Sequence, residues 1–166
     1  MSVSVTKIYV DMDGVIADFV KRFKEVTGKL PSDYKTERGF TPNFNLMVDD
    51  GHFVTLDKMP DFDVLVSYLD SLPVEKCILS STRTPEDNFK VAMQKMQWLA
   101  NVANITWPKI FVPGKSLKQQ YANPNSILID DTEIVIEQWN AAGGIGILHT
   151  DAISTITELK KYIDLN

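Results

Sequence analysis

The sequence predicts an α/β protein: a parallel sheet with helices on both faces, plus a small, mostly helical insertion after the first strand. Three observations carry that expectation. Two apolar runs, Ile8-Tyr9-Val10 and Ile127-Leu128-Ile129, each end in aspartates, Asp11 with Asp13 and Asp130 with Asp131. From residue 62 onward, strand-like and helix-like stretches alternate, the pattern of βαβ units. Between the first strand and residue 62 lie about forty residues with weak strand character and many aromatics, too long for a structureless loop in a compact domain.

Taken in order, residues 7–12 read as a buried strand, β-branched and aromatic. The insertion follows, with Phe23, Tyr34, Phe40, Phe44, Met47 and Phe53 punctuated by Gly28, Gly39 and Gly51. Because it leaves the sheet just after the acidic pair, it should lie over that pair as a lid. Residues 62–71 form a helix between Pro60 and Pro73, with Phe62, Leu65 and Leu69 inward. Residues 76–80 are the second strand. Thr84-Pro85-Glu86-Asp87 starts a helix running to about residue 101, through an N-cap, a first-turn proline and acids facing the dipole. Phe89, Met93, Met96 and Ala100 form its expected core stripe. Residues 109–112 and 126–130 are the third and fourth strands. Thr132 opens a helix through Trp139 that stops near Gly143-Gly144. Residues 145–148 are a fifth strand. A last helix over 152–164 turns Ile153, Ile156, Leu159 and Ile163 inward.

The boundaries expected are therefore a core of 1–18 and 60–166, with 19–59 inserted. A length of 166 residues fits one such domain, and 44% hydrophobic with 23% charged residues is ordinary for a soluble protein. The net charge of −5 argues against a broad electrostatic grip on duplex DNA. Cys77 is the single cysteine, so no internal disulfide or Cys-rich metal site can form. It reads as a small buried hydrophobe, in keeping with a reducing, cytoplasmic setting. Residues 1–7 lack the charged start and long apolar region of a secretory signal, and no stretch approaches a membrane span.

Paired carboxylates at the end of a buried strand need a cation or a proton to offset their repulsion. Two such strand ends suggest one shared acidic site of the kind that holds Mg²⁺ for phosphoryl transfer. Asp11 is the candidate nucleophile, able to form an aspartyl-phosphate. Asp13 would protonate the departing oxygen and later activate water. It must point inward against strand alternation, so the backbone should bend at Gly14, which also keeps bulk away from a phosphate. Asp131 and Asp130 supply the far side of the cation site. Ser80 or Ser81 would offer a hydroxyl, with strand register favouring Ser80. Lys115, in Val112-Pro113-Gly114-Lys115-Ser116, would neutralise a phosphate oxygen, with Lys118 its close competitor. Arg83 is read either as a phosphate contact or as a surface ion pair.

These residues, in this order, resemble the haloacid dehalogenase (HAD) superfamily of phosphatases. Its first motif, Asp-x-Asp-Gly-[Val/Thr], is Asp11-Met12-Asp13-Gly14-Val15 here; the second, a strand ending in Ser/Thr, is Ile78-Leu79-Ser80-Ser81. The third is a lysine, Lys115, and the fourth the pair Asp130-Asp131. The resemblance covers residues 7 to about 148 and implies a Rossmann-like core, Mg²⁺, an aspartyl-phosphate and Asp13 as acid/base. It also implies that Asp13 lends the metal its backbone carbonyl and that Asp131 is the favoured ligand of its pair. A narrower resemblance, to the 5′(3′)-deoxyribonucleotidases, is carried by residues 11–19, by Arg38-Gly39-Phe40, and by residues 53–60. It implies nucleoside monophosphate substrates and places Phe19 and Phe40 at substrate-contacting positions. Thr41 stands where that family has a bulky aromatic, and the insertion is shorter.

Simpler readings stand beside these. Asp18 reads as the cap of the first inserted helix, Phe19 and Phe40 serve equally as the insertion's own core, and His149 reads as structural. Gly143-Gly144 precedes a strand and is no dinucleotide fingerprint. The alternative substrates are a 3′-phosphate at a nucleic-acid end or a sugar phosphate. The alternative of another class is a phospho-accepting receiver module, whose acid pair lies at its first strand and which has no place for the insertion. The expected partner is a small phosphate monoester, with no membrane, no extended nucleic acid, and room for a homodimer.

Overall fold

The computed structural model describes residues 4–163. Five parallel strands, β1 (Lys7–Val10), β2 (Glu75–Ser81), β3 (Lys109–Val112), β4 (Ser126–Asp130) and β5 (Ile145–Leu148), form one sheet in the order β3-β2-β1-β4-β5. Val10, the last residue of β1, lies level with Ile78 of β2 and Ile129 of β4, and beyond that level β4 continues to Asp130 and β2 to Ser81. The chain leaves β1 first toward β2 and later returns to its other side as β4. Such reversals leave a crevice at the carboxyl ends of the strands.

Strand alternation sends Ile8, Val10, Ile127 and Ile129 to one face, and Tyr9, Cys77, Leu79 and Leu128 to the other. On the first face they meet helices α3 (Phe62–Ser71), α4 (Asn88–Trp98) and α6 (Ala152–Leu159), through Leu65, Leu69, Trp98 and Leu159. On the second they meet Val135 and Trp139 of α5 (Glu133–Ala141). The Rossmann-like α/β class expected from the sequence is therefore the fold observed. Trp139 also explains Gly144: a Cβ there would sit 2.2 Å from the indole nitrogen.

Between β1 and α3 the chain adds no strand to the sheet. It forms α1 (Phe19–Thr27) and α2 (Glu37–Asp49), with short 3₁₀ turns at 31–33 and 52–55. Asp18 caps α1 by accepting from Lys21 N at 3.2 Å. The incoming and outgoing chains lie side by side, with Asp18 N donating to Asp57 O at 2.8 Å and Met59 N to Ile16 O at 2.9 Å. The interior of this segment is aromatic: Phe19 stacks on Phe53 and Phe23 on Phe40.

Two helices face differently from the sequence expectation. In α4, Phe89 is 78% exposed, and Met93 and Met96 also face outward, as does Ala100 in the π-helical turn Leu99–Ala103 that follows. The buried side is Val91, Lys95, Trp98 and Leu99. Trp98 anchors it by donating its indole N–H to Leu56 O at 2.6 Å, and a lysine completes the inward stripe. In α6 the inward side is Ala152, Thr155 and Leu159, while Ile153 is exposed. Thr155 turns inward because its hydroxyl meets His149 Nδ1 at 2.7 Å. Helix α4 begins at Asn88, after a turn in which Thr84 Oγ1 accepts from Asp87 N at 3.3 Å. Ile163 is buried beyond the end of α6, and residue 164, placed in the last helix by the sequence, lies outside the described residues.

Candidate active site

Asp11 follows the last residue of β1, and Asp130 ends β4 beside it. Asp11 N donates to Ile129 O at 3.0 Å, which fixes the two strand ends together. Carboxylate oxygens of Asp11, Asp130 and Asp131 come within 4.8 Å of one another. One cation answers them: Lys118 Nζ donates to Asp11 Oδ1 at 2.9 Å and to Asp130 Oδ2 at 2.7 Å, with all three groups buried. Burial works against the Lys118 charge, but Asp11 and Asp130 outweigh it and hold the ammonium above its usual range. Burial and the Asp11 charge push Asp130 up, against the pull of Lys118. Asp131 still meets solvent at the cavity, yet partial desolvation and then the charges of Asp11 and Asp130 push its carboxyl up to about 7.

The turn after β1 is set by Gly14, whose φ of +83° suits glycine. A Cβ there would lie 2.0 Å from Asp131 Oδ2, so the loop accepts the Asp131 carboxylate only because Gly14 has no side chain. Within this turn Asp13 divides its oxygens. Oδ2 accepts from Lys95 Nζ at 2.9 Å, while Oδ1 is buried without a partner.

Above these groups lies a cavity of about 580 Å³, walled below by strand ends and above by Phe19, Phe40, Phe44 and Phe53. Arg83 joins the two walls. Its guanidinium carbon lies 5.1 Å and 5.0 Å from the centres of Phe40 and Phe44, while Nη2 pairs with Glu37 and donates to Thr41 Oγ1 at 2.6 Å. Its φ of +81° is rare for a side-chain-bearing residue and costs on the order of 1 kcal/mol or more. The Arg83 N–H donation to Ser81 Oγ at 3.0 Å helps hold that conformation.

Asp11, Asp13, Gly14, Ser81, Lys115 and Asp131 all line this cavity, as do Phe19, Phe40 and Arg83. Asp130 and Ser80 lie fully buried behind it. Two expectations change. The lysine bonded to Asp11 is Lys118; Lys115 stands exposed at the rim. Residues 115–121 form a 3₁₀ helix, in which positions three apart eclipse, so both lysines share one side and Lys118 lies a turn deeper. Ser81, rather than Ser80, faces the cavity, because Ser80 Oγ is taken by Lys95 at 2.7 Å. Phe19 and Phe40 serve both readings, lining the cavity and packing in the aromatic cluster. Lys95, Phe44, Phe53 and Glu37 are cavity residues that sequence reasoning missed. The two phenylalanines could have been found from the aromatic density of the insertion; Lys95 carries no signal in the sequence that sets it apart from other helix lysines.

The donor set fits a hard divalent cation. Asp11, Asp130 and Asp131 place three carboxylates around one ammonium, leaving negative charge to be offset, and all the donors are oxygens.

No protein-family model matches the chain, and no curated protein matches it. Solved structures do. A hydrolase from Streptococcus pneumoniae TIGR4 aligns over 95% of this chain and 99% of its own, with TM-score 0.53 and 12% identity. A Bacteroides fragilis protein assigned as a haloacid dehalogenase-like hydrolase aligns over 93% of both chains, with TM-score 0.55 and 16% identity. YfnB of Bacillus subtilis, assigned as a HAD-hydrolase and solved bound to magnesium, aligns over 98% of this chain and all of its own, with TM-score 0.50 and 13% identity. The chain has the fold of these proteins.

Proposed function

We propose that this protein is a Mg²⁺-dependent phosphomonoester hydrolase of the HAD type, acting on nucleoside monophosphates through an aspartyl-phosphate. The observation that carries this reading is the gathering of Asp11, Asp130, Asp131 and Lys118 beneath a cavity that Asp13 also lines. Lys118 engages only Oδ1 of Asp11, so the other oxygen is free to attack phosphorus. As the Asp11 oxygen–phosphorus bond forms, the bond to the leaving oxygen breaks, and its electron pair stays on that oxygen. Asp13 delivers a proton there. Water then attacks the phosphoryl group, Asp13 takes its proton, and the bond to Asp11 breaks, releasing phosphate.

Asp11, Asp130, Asp131 and the Asp13 backbone carbonyl would hold the Mg²⁺. The ion would offset phosphate charge as it develops. Ser81 and Lys115 are placed to donate to phosphate oxygens, while Lys118 keeps Asp11 fixed and charge-balanced. Residues 19–59 act as a cap, closing the aromatic wall over the leaving group. Nucleosides are the favoured leaving groups because the half-buried rings of Phe19 and Phe40 offer aromatic surface for a planar base, in keeping with the deoxyribonucleotidase-like residues of the sequence. Among the described residues no helix is long and apolar enough to cross a membrane.

Phosphate release from a panel of 5′- and 3′-(deoxy)nucleoside monophosphates and sugar phosphates, with Mg²⁺ or EDTA, tests the reading. We expect Mg²⁺-dependent release from nucleotides, reduced more than about 10³-fold in Asp11→Asn. Release from sugar phosphates alone would overturn the nucleotide assignment, and release from none would overturn the phosphatase assignment.

A further inference from the structure

A proton donor at the leaving oxygen must present one defined carboxylate oxygen, and the turn that carries Asp13 does not by itself fix which. Asp13 lies outside β1, and its side chain is 31% exposed. Its orientation is set from elsewhere in the chain. Lys95, 82 residues away on α4, is only 2% exposed and meets three oxygens: Asp13 Oδ2 at 2.9 Å, Ser80 Oγ at 2.7 Å and Ser81 O at 2.9 Å.

An ammonium has three protons, and three acceptors use all of them. Lys95 therefore keeps no donor for a phosphate oxygen, which separates it from an ordinary phosphate-binding lysine. Two of its acceptors belong to the end of β2, a rigid central strand, and the third is Asp13 Oδ2. Asp13 Oδ1 is left buried and without a partner, while the residue itself lines the cavity. Holding a lysine there has a cost that the rest of α4 shows: Lys95 occupies an inward position between Val91 and Trp98 that a hydrophobe would fill.

We propose that Lys95 is a positioning residue for Asp13. Its ammonium, anchored on Ser80 and Ser81, pins Asp13 Oδ2 and so holds the Asp13 carboxyl in one orientation at the cavity, where the oxygen leaves phosphorus. This rests on the phosphatase reading above. When the phosphorus–oxygen bond breaks and its electron pair stays on the leaving oxygen, the proton on the Asp13 carboxyl passes to that oxygen. When water attacks next, the Asp13 carboxylate takes a proton from it. Lys95 gives up no proton in either step; it fixes the geometry in which Asp13 exchanges one.

A contrast of leaving groups tests this. p-Nitrophenolate departs without protonation, whereas the oxygen of an alkyl phosphate, such as a nucleotide, needs a proton as it leaves. The full-length protein with Mg²⁺ is assayed on p-nitrophenyl phosphate and on the nucleotide that the wild type hydrolyses best. Lys95→Met is expected to lower kcat/KM on the nucleotide, which reports the step in which the leaving oxygen departs, by about 10²-fold, within the range for general acid catalysis. On p-nitrophenyl phosphate kcat/KM should fall by less than about fivefold; kcat also contains hydrolysis of the shared aspartyl-phosphate and does not discriminate. In an Asp13→Asn background, Lys95→Met should cause no further loss on the nucleotide, because the two changes act through one group. Lys95→Arg keeps the charge but cannot place one nitrogen against all three oxygens. It should show the same selective loss, and it carries the test should Lys95→Met fail to give a cooperative thermal transition. An equal fall in kcat/KM on both esters, an additive loss with Asp13→Asn, or no loss would overturn the proposal. The phosphatase reading survives each of those results and fails only if the wild type hydrolyses no ester.

Discussion

Lys118 and Lys95 are buried at opposite sides of the same cavity, and their surroundings differ in kind. Lys118, on the 3₁₀ helix after β3, sits between two carboxylates with a third close by. Lys95, on α4, meets one carboxylate and two neutral oxygens. On the Lys118 side, negative charge exceeds positive, so that side is an electrostatic cradle with capacity for a further cation. On the Lys95 side, one charge meets one charge and the remaining bonds fix direction. The same residue type thus balances charge in one place and sets geometry in the other. The difference follows from what each strand end supplies: acids from β1 and β4, a hydroxyl and a carbonyl from β2.

The sharpest test of this contrast is stability. Lys118→Met leaves Asp11 and Asp130 charged, buried and facing each other, and should destabilise the metal-free protein by about 3–5 kcal/mol. Lys95→Met strands one partly exposed carboxylate and two neutral acceptors, and should cost about 1–3 kcal/mol. Urea unfolding followed by circular dichroism measures both, and equal losses would remove the distinction.

On the proposed function, Mg²⁺ would address the cradle alone. A ligand that binds only the folded state at 100 times its dissociation constant stabilises by about 2.7 kcal/mol. Added Mg²⁺ should therefore raise the melting temperature of the wild type and of Lys95→Met, and do little for Asp131→Asn. An undiminished shift in Asp131→Asn would place the cation elsewhere.

Behind the cradle, His149 N donates to Asp130 O at 2.8 Å. Burial pushes the His149 imidazole below its ordinary value of 6.5, opposed by the charges of Asp61, Asp151 and Asp11. The unfolded chain then binds this proton more readily than the folded one. The stability contributed is present above about pH 6.5 and is lost as pH falls below it. Melting temperatures between pH 7.5 and 5 should fall less steeply in His149→Gln than in the wild type, and parallel slopes would contradict the assignment.

The smallest effect concerns the outer side of the helix that carries Lys95. Phe89→Ser and Met96→Gln should each change stability by no more than about 0.5 kcal/mol, because both side chains already face solvent. Trp98→Ala, on the inner side, should cost about 3–5 kcal/mol. Reversed magnitudes would mean that α4 faces the other way.

Much of this arrangement is legible in the chain. The strands at 109–112, 126–130 and 145–148, and the helix at 62–71, coincide with their apolar patterns, because strand and helix periods are local properties. Asp11, Asp13, Asp130 and Asp131 stood out because carboxylates at the ends of apolar strands conflict with their own surroundings. Helix α4 was misleading for a physical reason. Hydrophobic periodicity treats every lysine as solvent-facing, so Lys95 hid the true inner stripe and Phe89, Met93 and Met96 mimicked one. Ile153 misled in the same sense, since the inward position of α6 belongs to Thr155 and its bond to His149. Ser80 was misplaced because the reading had no Lys95 for it to bind.

By itself, then, the sequence determined the layered α/β class, the strands, the inserted helical segment and the acidic ends of β1 and β4. Each follows from patterns within a few residues, where backbone period and side-chain polarity suffice. Tertiary structure decided which lysine meets Asp11, which serine faces the cavity, which side of α4 is buried and how Arg83 bridges to Glu37. Those outcomes depend on partners such as Asp11 and Lys118, 107 positions apart, or Asp13 and Lys95, 82 apart. A charged side chain is tolerated inside a protein only where such partners converge, and that convergence exists only once the chain has folded.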